Sequence, residues 1–472
     1  MTDPRRSPGH EHAVPTRLTF VGLAVLLALA GCTSTPPLAE PTVTLPDRFP
    51  GTPLEDAQAP SSDWRDYFRD ARLVALIEQA LAHNRDLRLA AARVREARAL
   101  AQVAGAERGV PLDLGVALSS TRTPAGLTSS GRAQRSERWG LDVGLLNWEI
   151  DLWGRLARLE EAAAAQLAAS EETQRAAQAS LIAETANQYL LWLELGERLR
   201  LADAALEARR RTLELIERRR DVGLANDSEL LAQRGALASL RAERAALIRQ
   251  RDAVFSGLTL LVGQPVDALP GGALPQLPPI EAGLPSELLL RRPDLRAAEA
   301  RLRAARANVE AARLAFLPRI SLTAALGLAS RQLGELIDVD SGAWNFNPVV
   351  RLPLFDDGRR AGNVDLAAAR QVAAVAEYEK AIQQALREVA ELLAARAAWL
   401  EQWQAHRAAE EAQRHRFTLA EARFAAGASS LLEVLDAQRE LWTAESARVQ
   451  AERARLATEI ALYKALGGGA PR

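Results

Sequence analysis

The chain is written twice, and that duplication limits the fold more than any other feature. When Gly154-Arg155 is laid on Gly358-Arg359, an offset of 204 (154 to 358), Glu184 meets Glu388 and Ala186 meets Ala390. At the same offset Gly223 meets Gly427, Glu229 meets Glu433 and Leu231 meets Leu435. Upstream the offset is 208 (86 to 294). There Asp86-Leu87-Arg88 falls on Asp294-Leu295-Arg296, Arg93 on Arg301 and Arg95 on Arg303. Self-similarity held in register over each half means that both halves must build the same series of elements.

The patterning predicts that series. The first half reads as a helix from about Leu73 to Glu107, two strands, and a very long helix from about Leu156 to Asp221. A turn at Gly223 and a shorter helix ending near Val262 complete it. The second half reads as helix 286–315, two strands, long helix 362–425, a turn at Gly427 and helix 430–466. The Pro- and Gly-rich stretch 263–285 is a linker between the repeats 73–262 and 286–466, with 467–472 as a tail. Heptads run along the helices: Trp192, Leu199, Leu206, Leu213; Leu240, Leu247, Val254, Leu261; Leu435, Trp442, Val449, Leu456, Tyr463. A seven-residue apolar repeat predicts coiled-coil packing between neighbours.

Four stretches of about ten residues break this pattern. Leu112, Leu114, Val116 and Leu118 alternate with small or polar residues. So do Leu141, Val143 and Leu145, and then Ile320, Leu322, Ala324, Leu326 and Leu328; a less regular fourth runs from Phe346 to Leu354. Period-two alternation with one apolar and one small or polar face is the pattern of a lipid-facing barrel strand, and roughly ten tilted residues cross the hydrocarbon. Trp139, Trp148 and Trp344 are read at strand ends, where an aromatic girdle would lie. Four strands cannot close around a lumen, and open edges cannot face lipid, so the barrel must be shared among chains.

The N-terminus has its own logic. Arg5, Arg6 and Arg17 precede an apolar run from Leu18 to Ala30, a basic region followed by a core too short to span a bilayer. Residues 1–31 therefore read as a signal peptide. The run ends in Leu29-Ala30-Gly31-Cys32, similar to a bacterial lipoprotein processing box, and Cys32 is the single cysteine of the chain. It is the candidate lipidation site and leaves no partner for a disulfide within the chain. Residues 33–60, rich in Pro and Thr, read as an extended tether, and the lipid-anchored region is taken to run to 72. No later segment has the apolar length of a transmembrane helix, so any crossing must be made by strands.

Little supports catalysis. No phosphate-binding loop occurs, and His83, His406 and His415 have no metal-ligand spacing. The formal net charge of −1 gives no reason to expect nucleic acid, and no cofactor is implied.

Several motifs carry a family resemblance. They are Trp148-Glu149-Ile150-Asp151-Leu152-Trp153-Gly154-Arg155, Arg291-Arg292-Pro293-Asp294-Leu295-Arg296-Ala297-Ala298-Glu299 and Phe316-Leu317-Pro318-Arg319-Ile320-Ser321-Leu322. Further ones are Leu352-Pro353-Leu354-Phe355-Asp356-Asp357-Gly358-Arg359, Leu432-Glu433-Val434-Leu435-Asp436-Ala437-Gln438-Arg439 and the closing Leu462-Tyr463-Lys464-Ala465-Leu466-Gly467-Gly468-Gly469. Together they resemble the TolC-like outer membrane factors of tripartite efflux systems, in the NodT/OprM-type lipoprotein branch, over nearly all of the mature chain. The resemblance implies a mainly α fold with a membrane β-barrel: a homotrimer with a twelve-stranded barrel and a long helical periplasmic tunnel. It implies a passive conduit, not an enzyme, working with a periplasmic adaptor and an inner-membrane pump of the RND type. It also implies a gate at the periplasmic tip. Glu433 and Asp436 stand at the constriction positions, with Leu432 one turn before Asp436. Ser228 and Glu229 oppose them, and Arg439 can tie across the gate. Family members often have Asp where this chain has Glu433, and some have Tyr where it has Phe424. The readings that compete with an efflux conduit are an outer-membrane conduit for type I protein secretion, a lipid-anchored periplasmic adaptor, which also uses long helical hairpins, and a structural coiled-coil lipoprotein.

Overall fold

The computed structural model describes residues 40–42, 45, 46, 49, 63–280 and 291–469. The signal peptide, Cys32 and most of the expected tether lie outside the described residues, as does the expected helix start at 286. Helices α1 (Trp64–Tyr67), α2 (Ala71–His83) and α3 (Arg85–Ala106) lead to strands β1 (Asp113–Thr123) and β2 (Gln134–Ile150). The long helix α4 (Arg155–Asp221) and α5 (Asp227–Val262) follow. The second half repeats the order as α6 (Pro293–Leu314), β3 (Arg319–Ser330), β4 (Gly342–Arg351), α7 (Arg359–Ala425) and α8 (Leu431–Ala465).

The repeat extends to backbone detail. Positive φ falls on matched glycines: Gly154 and Gly358 before the long helices, Gly223 and Gly427 at the distal turns, and Gly263 and Gly467 after the short helices. The last pair marks a duplicated joint. A Cβ on Gly263 would lie 2.5 Å from the His83 carbonyl oxygen, and one on Gly467 3.0 Å from the Arg291 carbonyl oxygen. At each joint the end of a short helix is pressed onto the chain at the start of a proximal helix.

Helices α4 and α7 have 67 residues each, about 100 Å at the usual rise. The Asp151 carboxylate starts α4, accepting from the amides of Leu156 (3.0 Å) and Ala157 (2.8 Å). Asp356 does the same for α7 through the Arg360 amide and guanidinium. Heptad residues Trp192, Leu199, Leu206, Leu240, Leu247, Val254, Trp442, Val449, Leu456 and Tyr463 are all buried. Most apolar burial therefore comes from helix against helix.

Several boundaries differ from the sequence reading. The first helix is broken at Asn84, whose buried side chain accepts from the Leu87 amide (2.9 Å) and donates to the Leu261 carbonyl (2.8 Å). Capping a new helix satisfies donors that would otherwise be orphaned. Residues 63–70, read as tether, bury Trp64, Tyr67 and Phe68, and Tyr67 stacks on Tyr463 with ring centroids 4.3 Å apart. Two of the three tail glycines, Gly468 and Gly469, are buried against α8, where Gly469 donates its amide to the Tyr463 hydroxyl at 3.0 Å.

The strands form one antiparallel sheet in the order β1-β2-β3-β4. Its register fixes two faces. Leu114, Val143, Leu326 and Trp344 lie directly opposite one another, and the row Leu118-Trp139 shares their face. This face is apolar and uncovered: Leu114 is 71% exposed and Trp344 77%. The other face carries Gly115, Asp142, Gly327 and Ala343 in one row and Ala117, Gly140 and Ala329 in the next. All of these but Asp142 are small, and the backbone crowds at two glycines of this face. A Cβ on Gly327 would fall 2.1 Å from the Leu141 carbonyl oxygen, and one on Gly144 2.4 Å from that of Ala324. The small-residue face is accordingly concave and lines a cleft of about 380 Å³.

Strand β4 starts at Gly342 and ends at Arg351, not at 346 and 354, so Leu352 and Leu354 lie beyond it. Strand β2 begins at Gln134, which puts Trp139 inside it rather than at its end. Trp148 lies near its close, beyond a bulge at which Asn147 takes φ 53° and donates its amide to Thr323 Oγ1 at 3.1 Å. Among the described residues no helix is long and apolar enough to cross a membrane.

Candidate functional site

The distal turns join α4 to α5 and α7 to α8. Each ends its long helix with a left-handed glycine, which closes the last turn by two hydrogen bonds. Gly223 N–H donates to the Arg220 carbonyl (2.9 Å) and Leu224 N–H to that of Arg219 (2.7 Å). Gly427 N–H donates to the Phe424 carbonyl (3.0 Å) and Ala428 N–H to that of Arg423 (2.8 Å). Asn226 then caps α5 by accepting from the Glu229 amide at 2.9 Å.

Leu431, Leu230 and Ile216 form a small buried core between the turns, flanked by Phe424, Ala225 and Leu435. Phe424 thus packs where the two hairpins meet, with the Arg219 guanidinium 5.2 Å from its ring centroid. This cation–π contact needs only the ring face and no hydroxyl.

Glu433 and Asp436 sit one turn apart on α8. Both Asp436 oxygens are held. Arg416 on α7 donates to Oδ2 at 2.6 Å and Arg439 to Oδ1 at 2.9 Å, and Arg439 also reaches Glu440 at 3.0 Å. Glu433 is held more loosely, 3.8 Å from Arg423. Leu432 projects freely and is 73% exposed. Glu433, Asp436, Arg439 and Phe424 are therefore gathered on the α7–α8 hairpin or beneath it. Ser228 and Glu229 stand at the start of α5 and, among the described residues, make no side-chain hydrogen bond or ion pair to α7 or α8. The sequence reading missed Arg416 and Arg423. The available signal was distance from the turn: 416 and 436 flank Gly427 at eleven and nine residues, and 423 and 433 at four and six.

In the α4–α5 hairpin a polar layer interrupts the seam. Arg209 follows Leu195 and Ala202 at seven-residue steps and precedes Ile216, so it occupies a core position and is only 8% exposed. Gln233 occupies the matching position on α5, ahead of Leu240 and Leu247, and donates to the Arg209 carbonyl at 2.9 Å. Burial, with Arg439 nearby, lowers the Arg209 guanidinium below its ordinary value. Arg209 Nε and Gln233 Oε1 have no hydrogen-bond partner. Burying an unsatisfied polar group costs about 1–3 kcal/mol. Arg209→Leu is therefore expected to raise the thermal midpoint of the protein, and an unchanged or lowered midpoint in differential scanning calorimetry would contradict this account of the layer.

A family model described as "Outer membrane efflux protein" matches residues 76–264 and 284–468. The chain belongs to the outer membrane efflux protein family. This efflux protein is 37% identical over 454 residues to the outer membrane protein OprJ of Pseudomonas aeruginosa, covering 95% of each chain. It is 38% identical over 465 residues to the toluene efflux pump outer membrane protein TtgF of Pseudomonas putida, covering 95% of this chain and 96% of that one. Among solved structures, the open state of the MtrE outer membrane channel of Neisseria gonorrhoeae superposes with a TM-score of 0.85 at 32% identity, covering 93% of this chain and 99% of that one. The efflux protein is thus an outer-membrane channel component, and its helix-rich fold with a few antiparallel strands is that of the TolC-like channels.

Proposed function

We propose that three copies of the efflux protein form one passive conduit. Their sheets join into a twelve-stranded barrel in the outer membrane, and their coiled helices form a tunnel through the periplasm. Small toxic molecules, such as drugs, solvents or metals, pass from an inner-membrane pump of the RND type and its periplasmic adaptor to the outside. The observation that carries this reading is the sheet. It has an uncovered apolar face, a concave face of small and polar residues, and two unpaired edges at β1 and β4. Such a sheet is stable in lipid only when its edges are closed by other copies. The toluene efflux named for TtgF supports a small-molecule cargo. Cys32 would carry the lipid that holds the N-terminus at the same membrane, a weak anchor that adds to the barrel's own.

The distal turns act as the gate. With three copies, Glu433 and Asp436 become two acidic rings in the narrowest part of the tunnel, and Leu432 adds an apolar one. Acid rings favour cations in a narrow pore. Arg416 and Arg439 hold Asp436 within one copy, Ser228 and Glu229 stand at the opposing positions, and Phe424 packs between the hairpins behind them. Opening is a shift between packings of the two hairpins, driven by adaptor contacts.

Deleting the gene is expected to raise steady-state accumulation of a fluorescent efflux dye in cells, and the wild-type gene is expected to restore export. Accumulation unaffected by deletion, for this dye and for a panel of solvents and antibiotics, would contradict a small-molecule conduit.

A further inference from the structure

We propose that a cleft in the first repeat, at the joint where α3 meets α4, binds a guanidinium cation. The second repeat shows the reason. There Arg292 fills the matching place and is almost wholly buried. It forms a two-point bond with Asp294 (3.0 and 2.8 Å), reaches Glu388 at 2.7 Å and donates to the Ala465 carbonyl at 3.1 Å. In the first repeat each of these acceptors has its counterpart. Asp86 matches Asp294, Glu184 matches Glu388 and the Leu261 carbonyl matches that of Ala465. The guanidinium does not: Asn84 stands at the position of Arg292. Its amide nitrogen bonds the Leu261 carbonyl at 2.8 Å, reproducing the one contact of Arg292 that its short side chain can reach.

What remains is an open cleft of about 450 Å³ bordered by Asn84, Asp86, Glu184 and Asn187, with Glu388 and Lys464 also on its lining. Among the described residues, Asp86 and Glu184 take part in no ion pair, and Glu184 meets only the Gln188 amide at 3.0 Å. The Asn187 side-chain oxygen is buried without a hydrogen-bond partner. The cleft thus keeps the carboxylates of the second repeat's guanidinium site without the cation that neutralises them there. Lys464 carries the one positive charge on the lining, set against Asp86, Glu184 and a Glu388 already held by Arg292. No three carboxylate, His or Cys side chains among the described residues stand close enough to hold a metal ion. A planar cation with several donors, able to bridge separated carboxylates and an amide oxygen, fits the lining better than a bare ion.

The test uses the full-length, membrane-extracted protein in detergent, with agmatine as the probe and tetramethylammonium as the control cation. Agmatine is expected to raise the thermal midpoint saturably by about 2–4 °C, with tetramethylammonium giving no such rise. The combined variant Asp86→Asn and Glu184→Gln, both changes at exposed side chains, is expected to lose the response. Asn84→Arg, which installs the second repeat's own solution in exchange for the Asn84 cap, is expected to abolish the agmatine response. No saturable rise in the wild type, an equal rise with tetramethylammonium, or a response that persists in either variant would overturn the proposal.

Discussion

Gly327→Leu is expected to abolish assembly and outer-membrane insertion, and with them all export above the level of a deletion strain. The substituted Cβ would stand 2.1 Å from the Leu141 carbonyl oxygen and 2.5 Å from Asp142 Cα. Both are backbone of the neighbouring strand, so no rotamer relieves the overlap and β2 and β3 must part. Overpacking a single site ordinarily costs about 1–3 kcal/mol. Here the strain falls on the hydrogen bonds that close the barrel, once per copy, and unpaired strand edges cannot be hydrated inside lipid. Gly126→Ala is the matched control, since a Cβ there has nothing within 4 Å. Blue-native electrophoresis of the outer-membrane fraction reads the result. Normal assembly of Gly327→Leu would mean that the small-residue face is not the crowded concave one.

The second large effect is at the distal turns. Glu433→Ala combined with Asp436→Ala is expected to raise resting conductance in planar bilayers severalfold and to weaken cation preference. The acids do two things that the variant removes together. Asp436 ties α7 to α8 through Arg416, and also engages Arg439. A single partly exposed ion pair contributes only about 0–1 kcal/mol. In a closed assembly the ties recur in each copy, and the side chains themselves narrow the bore. Removal also leaves Arg416, Arg423 and Arg439 without these carboxylates, which turns an acid-lined aperture into a basic one. Unchanged conductance and selectivity in the variant would show that the constriction lies elsewhere. The substitutions are at half-exposed positions outside the buried cores of the hairpins, so assembly is expected to persist.

The architecture was legible in the sequence because duplication and periodicity are properties of long stretches. Heptads through Leu199, Leu247 and Val449 place the helix seams, and alternation through Leu114, Val116 and Leu118 shows the lipid face of β1. Edges were less legible for local reasons. Gly342 and Ala343 belong to β4 only because Gly327 and Leu328 pair with them, which alternation within β4 cannot reveal. The break at Asn84 depends on a carbonyl at Leu261, far along the chain. Trp64, Tyr67 and Phe68 lie in a stretch whose neighbours are Pro- and Thr-rich, so composition hid a packed segment. At the distal turns the acids and Arg439 were found through family motifs, whereas Arg416 and Arg423 were not, because Arg416 and Asp436 meet only once the hairpin has folded back on itself. Arg209 was missed as well, because a charged side chain at a seam position breaks the apolar repeat and looks like part of a solvated helix face.

The central claim is that one chain supplies a third of a barrel, so that the β1 edge of one copy pairs with the β4 edge of another. Within a chain these edges are separated by β2 and β3, about 14 Å at the usual strand spacing, too far for a disulfide. The sequence has one cysteine, Cys32, so engineered pairs can be read cleanly. Val116→Cys combined in turn with Trp344→Cys, Phe346→Cys and Val350→Cys, oxidised in intact outer membranes, is expected to give covalent trimers for at least one pair and no larger species. Monomers alone for every pair, or ladders that run past three copies, would contradict the account.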